Sequence, residues 1–193
     1  MRPDLSDTAG KLVGEAAGLI MHAGYNGFSY ADLSARIGIR KASIHHHFPS
    51  KVDLVVAVVE QARAIIRAQI GLLEDGAPRA LDQLLAYTGY WKQCISDQTA
   101  PFCIAGMLAA ELPVLPQEVA TAVRGHFADL GEWLEGVLAL GVTQGSMRLE
   151  RTPEIEAQTF MAGVYGAMLT ARAFGDPQRF DCVVDGLIDR IRT

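Results

Sequence analysis

Between Arg40 and Lys51 the chain gathers side chains that donate hydrogen bonds: Arg40, Lys41, Ser43, His45, His46, His47, Ser50 and Lys51. Such a set suits a partner rich in acceptors, and the base edges and phosphates bordering a DNA major groove are that kind of partner. The three histidines also raise the question of a metal. Consecutive helical residues point roughly 100° apart, so His45, His46 and His47 do not converge on one ion. His22 and His126 lie far away in the chain, and no metal or other cofactor is expected. Ser-His-Asp, P-loop and dinucleotide signatures are absent. No enzyme is expected, with a small helical lyase or hydrolase as the remote alternative.

Presenting those donors requires helices on either side of a tight turn. Ser29 is placed to cap a first helix, with Asp32 three residues on in a capping-box spacing. Leu33 and Ile37 fall on one face of that helix. Gly38 suits the left-handed conformation that ends it. Arg40, Lys41 and Ser43 open a second helix anchored by Ile44 and Phe48, and Pro49 stops it. Ser50 and Asp53 repeat the capping spacing at the next helix. With a further helical pattern before it, this is a helix-turn-helix, a device that places one helix in the major groove.

The run Ile39-Arg40-Lys41-Ala42-Ser43-Ile44-His45-His46-His47-Phe48-Pro49-Ser50-Lys51 resembles the recognition helix and following cap of TetR-family transcriptional regulators. Ala23-Gly24-Tyr25-Asn26-Gly27-Phe28-Ser29 resembles the family's first turn, and the likeness extends over about residues 6 to 55. It implies an all-α chain. A three-helix DNA-binding head occupies residues 1–50, extending into a linking helix to about 65, and an effector-binding and dimerisation body occupies 51–193. It further implies a homodimer on a palindromic double-stranded DNA operator, most often a repressor released by a small-molecule effector, acting in the cytoplasm. Arg40, Lys41, Ala42, Ser43, His45 and His46 would meet the groove, with Ser29, Tyr30 and Lys51 on phosphates. The sequence departs from the family at His45, where an aromatic is usual, and at Tyr30, where a small hydroxyl is common.

Composition fits this picture. The net charge is −5, but residues 1–50 carry +1 and residues 51–193 carry −6. With so small a basic surface, DNA affinity should rest on dimerisation and base contacts. Cys94, Cys103 and Cys182 are odd in number and lack metal or redox spacing, as expected in a reducing compartment. The opening Met-Arg-Pro-Asp-Leu-Ser-Asp has no signal-peptide core. The apolar stretch from Val52 to Leu73 is broken by Asp53, Glu60, Arg63 and Arg67, so no membrane span is expected.

Beyond the head every pattern is helical. Helices are expected over about 50–74, 78–95, 102–112, 116–144, 153–174 and 177–193, with a polar break from Ser96 to Pro101. Ala162, Gly163, Gly166, Ala167 and Ala171, with Val183, Leu187 and Ile191 on the last helix, form the expected dimer seam. Internal packing is the alternative. Tyr87, Trp91, Cys103, Met107, Phe127 and Phe160 are candidate effector contacts, being apolar or soft with a few polar handles. Each is equally at home in a core. Cys103 stands at an expected helix start, where the dipole favours thiolate. The surrounding Pro101–Leu112 stretch resembles that of a TetR subgroup in which this cysteine senses oxidants or electrophiles. A free cysteine is also commonly a buried, inert core residue.

Overall fold

The computed structural model describes residues 7–100 and 102–193. The polar opening residues 1–6 and Pro101, the end of the polar break, lie outside the described residues. The described residues form nine α-helices: α1 (Asp7–Ala23), α2 (Tyr30–Ile37), α3 (Lys41–His47), α4 (Lys51–Gly76), α5 (Ala80–Ser96), α6 (Ile104–Ala109), α7 (Gln117–Thr143), α8 (Pro153–Phe174) and α9 (Gln178–Ile191). No β-strand occurs among them, so the all-α class stands. No described helix is long and apolar enough to cross a membrane.

Local rules explain the ends of α2 and α8. Ser29 Oγ accepts from the Ala31 N–H at 3.2 Å, while the Asp32 carboxylate accepts from Ser29 N–H and Oγ, both at 2.7 Å. These bonds hold the Asp32 carboxyl below its ordinary pKa. Gly38 closes α2 at φ 74°, donating its N–H to the Ser34 carbonyl. A Cβ at Gly38 would meet nothing within 4 Å, so an L side chain there costs backbone strain alone. Gly38→Ala is therefore expected to lower stability by about 1–2 kcal/mol, read as a shift in the urea midpoint at constant m. An unshifted midpoint would mean the turn has another geometry. Pro153 opens α8 and Gly175, at φ 61°, closes it. Helix α6 is shorter than the expected 102–112. The chain leaves α-geometry after Ala109 and makes a 3₁₀ turn over Leu112–Val114, in which Pro113 has no N–H to donate.

The chain divides into two compact units. The first comprises the described residues through Ala68 together with Cys103–Phe127. Its core takes Leu12, Val13, Ala16, Leu19 and Ile20 from α1, Leu33 from α2, Ile44 from α3, and Leu54, Val55, Val58 and Val59 from α4. Leu108, Val119, Ala122 and Val123 complete the same cluster, so α6 and the start of α7 pack with the helix-turn-helix.

The second unit comprises Gln69–Phe102 and Ala128–Thr193. Leu84, Leu130, Leu134, Leu138, Phe160, Phe180 and Val184 are buried there. Gln144 fastens the start of α5, accepting from the Ala80 N–H at 2.9 Å and donating to the Pro78 carbonyl at 2.7 Å. Helices α8 and α9 pack closely: a Cβ on Gly163 would stand 2.6 Å from Leu187 Cδ1.

Candidate nucleic-acid interface and body residues

Helix α3 is held by one fully buried residue, Ile44, and by Phe48 just after its end. That leaves Arg40, Lys41, Ala42, His45 and His46 exposed along its outer side, while Ser43 and His47 are half-buried. The structure thus groups the donors expected at the groove. His45 is oriented by two contacts. Its Nδ1–H donates to the Pro49 carbonyl at 3.1 Å, and its ring meets that of Tyr30 edge-on, with centroids 4.8 Å apart. A carbonyl only accepts, so Nδ1 is the donor in this contact.

Two residues expected on phosphates have internal duties. Tyr30 is buried, and its hydroxyl donates to the carbonyls of Phe48 (2.9 Å) and Ser50 (2.6 Å). Burial, then the nearby Asp53 charge and Tyr25, push its pKa up to about 12. The phenol is long enough to tie α2 to the α3–α4 turn, so its hydroxyl points into the head instead of toward a phosphate. Lys51 Nζ donates to the Phe28 carbonyl at 2.6 Å and lies 4.6 Å and 4.3 Å from the ring centroids of Tyr25 and Phe28. Partial burial lowers its pKa. Ser29 is exposed beside this cluster as the α2 cap.

Glu111 completes this region, and nothing in its local sequence marks it. Both carboxylate oxygens accept from the Tyr25 N–H at 3.1 Å. Its carboxyl group fills the space that a Cβ on Gly24 would need, and Gly24 itself has φ +72°. The turn leading into α2 is therefore clamped by a residue 86 positions away.

The six body candidates divide between the two units. Tyr87 and Trp91 on α5 and Phe160 on α8 are buried in the second unit. The Tyr87 ring meets Trp133 edge-on at 5.3 Å. Trp133 is not among the sequence candidates, because its contact with Tyr87 joins two helices distant in the chain and no local pattern shows it.

Cys103, Met107 and Phe127 belong to the first unit. Cys103 is buried at the N-cap of α6, with Sγ 3.6 Å from Nε2 of the buried His126. Met107 and Phe127 are half-buried, and Phe127 meets the His126 ring edge-on at 5.4 Å. No basic neighbour of Cys103 was visible in sequence, and the fold supplies an imidazole from α7. All three cysteines are free thiols. Among the described residues no group of three or more His, Cys, Asp or Glu is arranged to hold a metal.

At the expected seam, Ala167, Ala171 and Ile191 are buried within the protomer, and Gly163 serves its contact with Leu187. Ala162 and Gly166 stay exposed, as do Leu169 and Val183.

Comparison with known proteins gives a consistent result. Residues 12–58 match the model of the bacterial regulatory proteins of the tetR family, and residues 80–187 match that of the tetracyclin repressor-like C-terminal domain. The crystal structure of a TetR-family transcriptional regulator from Agrobacterium tumefaciens superposes with a TM-score of 0.93 at 49% identity, covering 96% of this chain and 97% of that one. The transcriptional repressor NemR of Escherichia coli K12 is 27% identical over 172 residues, 86% of this chain and 84% of its own length. The transcriptional repressor DhaR of Mycobacterium sp. GP1 is 24% identical over 159 residues, 82% of this chain and 79% of its own.

Proposed function

The chain belongs to the tetR family of bacterial regulatory proteins, and we propose that it works as a homodimeric repressor released from a palindromic operator by a small-molecule effector. DNA-binding transcriptional regulation follows from the family. The repressor reading is supported by the two relatives named as repressors. The observation that carries the operator reading is the outer side of α3, where Arg40, Lys41, Ala42, His45 and His46 stand exposed over a buried Ile44 anchor. These, with Ser43, meet the groove, and Ser29 and the remaining donors of Lys51 reach phosphates.

Residues 1–50, extending into α4 to about 65, form the DNA-binding domain, and 51–193 form the effector-binding and dimerisation domain, with dimerisation through the exposed faces of α8 and α9. The protein acts in the cytoplasm, where its operator is. An effector that binds one dimer geometry better than another shifts the population away from the form whose two recognition helices match the groove spacing, roughly 34 Å for one turn of DNA.

Selection of bound duplexes from a random library tests this reading. Enrichment of a pseudo-palindrome is the expected result. Absence of any enriched sequence at low salt would defeat the regulator reading.

A second reading is favoured by the Cys103–His126 pair. Here the thiol is the sensor: it gives its proton to His126 Nε2, and its sulfur adds to one carbon of an activated C=C bond. The π pair moves onto the adjacent carbonyl as an enolate, and that enolate takes the proton back from His126. Cys103→Ser is then expected to abolish release of operator by N-ethylmaleimide while leaving operator affinity within twofold. Full release in that variant would remove the thiol from the mechanism.

A further inference from the structure

Trp91 and Trp133, the two tryptophans of the chain, are both buried in the second unit, at 5% and 7% exposure. Neither Nε1–H has a hydrogen-bond partner among the described residues. Buried donors are paired in the great majority of cases, and a buried indole N–H usually finds an acceptor. Tyr87 and Trp91 are one helical turn apart on α5, and the Tyr87 ring is in edge contact with Trp133 of α7.

The charge of the surroundings decides which acceptor fits. The buried polar side chains of this unit are already engaged. Gln83 donates to the Ala77 carbonyl, Thr88 donates to the Leu84 carbonyl, and Glu156 accepts from Arg190. No lysine, arginine or histidine is buried among the described residues of this unit. A buried anion would stand there without a counter-charge, at a large desolvation penalty. A neutral oxygen acceptor carries no such penalty, and aromatic walls favour a flat apolar body.

We infer that the indole N–H groups of Trp91 and Trp133 are the polar donors of a ligand site in the second unit, and that the site takes a neutral aromatic carbonyl compound. The inference rests on the reading of this chain as effector-responsive and specifies the chemistry of the effector.

The test uses the full-length protein and two matched probe pairs, acetophenone with ethylbenzene and 1-indanone with indane. Binding is read from intrinsic fluorescence, which reports only these two side chains as tryptophan emitters. The ketones are expected to bind at least tenfold tighter than the hydrocarbons. Trp91→Phe and Trp133→Phe each keep an aromatic ring and remove one donor. Each is expected to cut the ketone preference about fivefold, the equivalent of one neutral hydrogen bond, and to leave hydrocarbon affinity unchanged.

Equal binding of ketone and hydrocarbon by the unsubstituted protein would overturn the inference, and this measurement does not depend on how well the variants fold. So would ketone preference unchanged in both variants, the outcome if internal water alone satisfies the indoles, or no ketone binding up to its solubility. Operator selection is scored separately. If it fails while ketone preference holds, the regulator reading falls and the site stands. Ketone binding that leaves the operator complex intact keeps the site and removes its effector role.

Discussion

Replacing Lys41 with alanine is expected to weaken operator binding about a hundredfold and to leave the unfolding midpoint unchanged. Lys41 is the first residue of α3 and is exposed. Its ammonium is a donor at the edge of the proposed groove contact. A side-chain contact of this kind contributes about 1–2 kcal/mol, and a symmetric dimer makes it twice, which corresponds to roughly one to three powers of ten in affinity. Alanine is the best helix former, and exposed substitutions away from caps and cores generally change stability by less than about 0.5 kcal/mol. The salt dependence identifies the kind of contact. Loss of a phosphate contact should flatten the slope of log K against log salt by about two for the dimer, whereas loss of a base contact should relax sequence preference at one position of each half-site. Gel-shift titrations at several salt concentrations give both quantities. Unchanged affinity would mean that α3 is not the reading helix.

Glu111→Ala is expected to act on the head from a distance. The variant removes both oxygens that accept from the Tyr25 N–H and leaves that donor at a half-buried turn without its carboxylate. A hydrogen bond to a charged group contributes about 1.5–3 kcal/mol, and partial exposure argues for the lower end. The midpoint of thermal unfolding should fall by about 3–5 °C. Operator affinity should fall as well, by about tenfold, because the clamped turn leads directly to Phe28, whose carbonyl holds Lys51, and to the Ser29 cap of α2. Glu111→Gln keeps one acceptor and should lose about half as much. If stability drops while operator affinity stays within twofold, the clamp is structural only and does not govern DNA binding.

What could be read ahead of the structure was short-range. Ser29 with Asp32, Gly38 after Ile37, and Pro153 at the start of α8 each depend on partners within a few residues, so the sequence already contains the whole interaction. The outward donors of α3 were legible for the same reason: Ile44 and Phe48, four apart, fix which side faces in. The hidden part was long-range. Glu111 meets Tyr25 across 86 positions and Cys103 meets His126 across 23, and no local pattern names either partner. Tyr30 misled because its class of neighbour is polar and surface-bound, while its length lets the hydroxyl cross to Phe48 and Ser50. The small residues of α8 were ambiguous in principle, since close approach serves an internal helix as well as a partner. Gly163 and Ala167 went to the internal helix.

The contact between Gly163 and Leu187 also favours one order in which descendants of this protein can change. A methyl group at position 163 would stand 2.6 Å from Leu187 Cδ1, so losing the glycine first requires the half-buried Leu187 side chain to turn aside. Shortening position 187 first opens room and costs only the lost packing. A lineage should therefore pass through a smaller residue at 187 before acquiring a larger one at 163. Reconstructed ancestors on the reverse path should be the less stable ones.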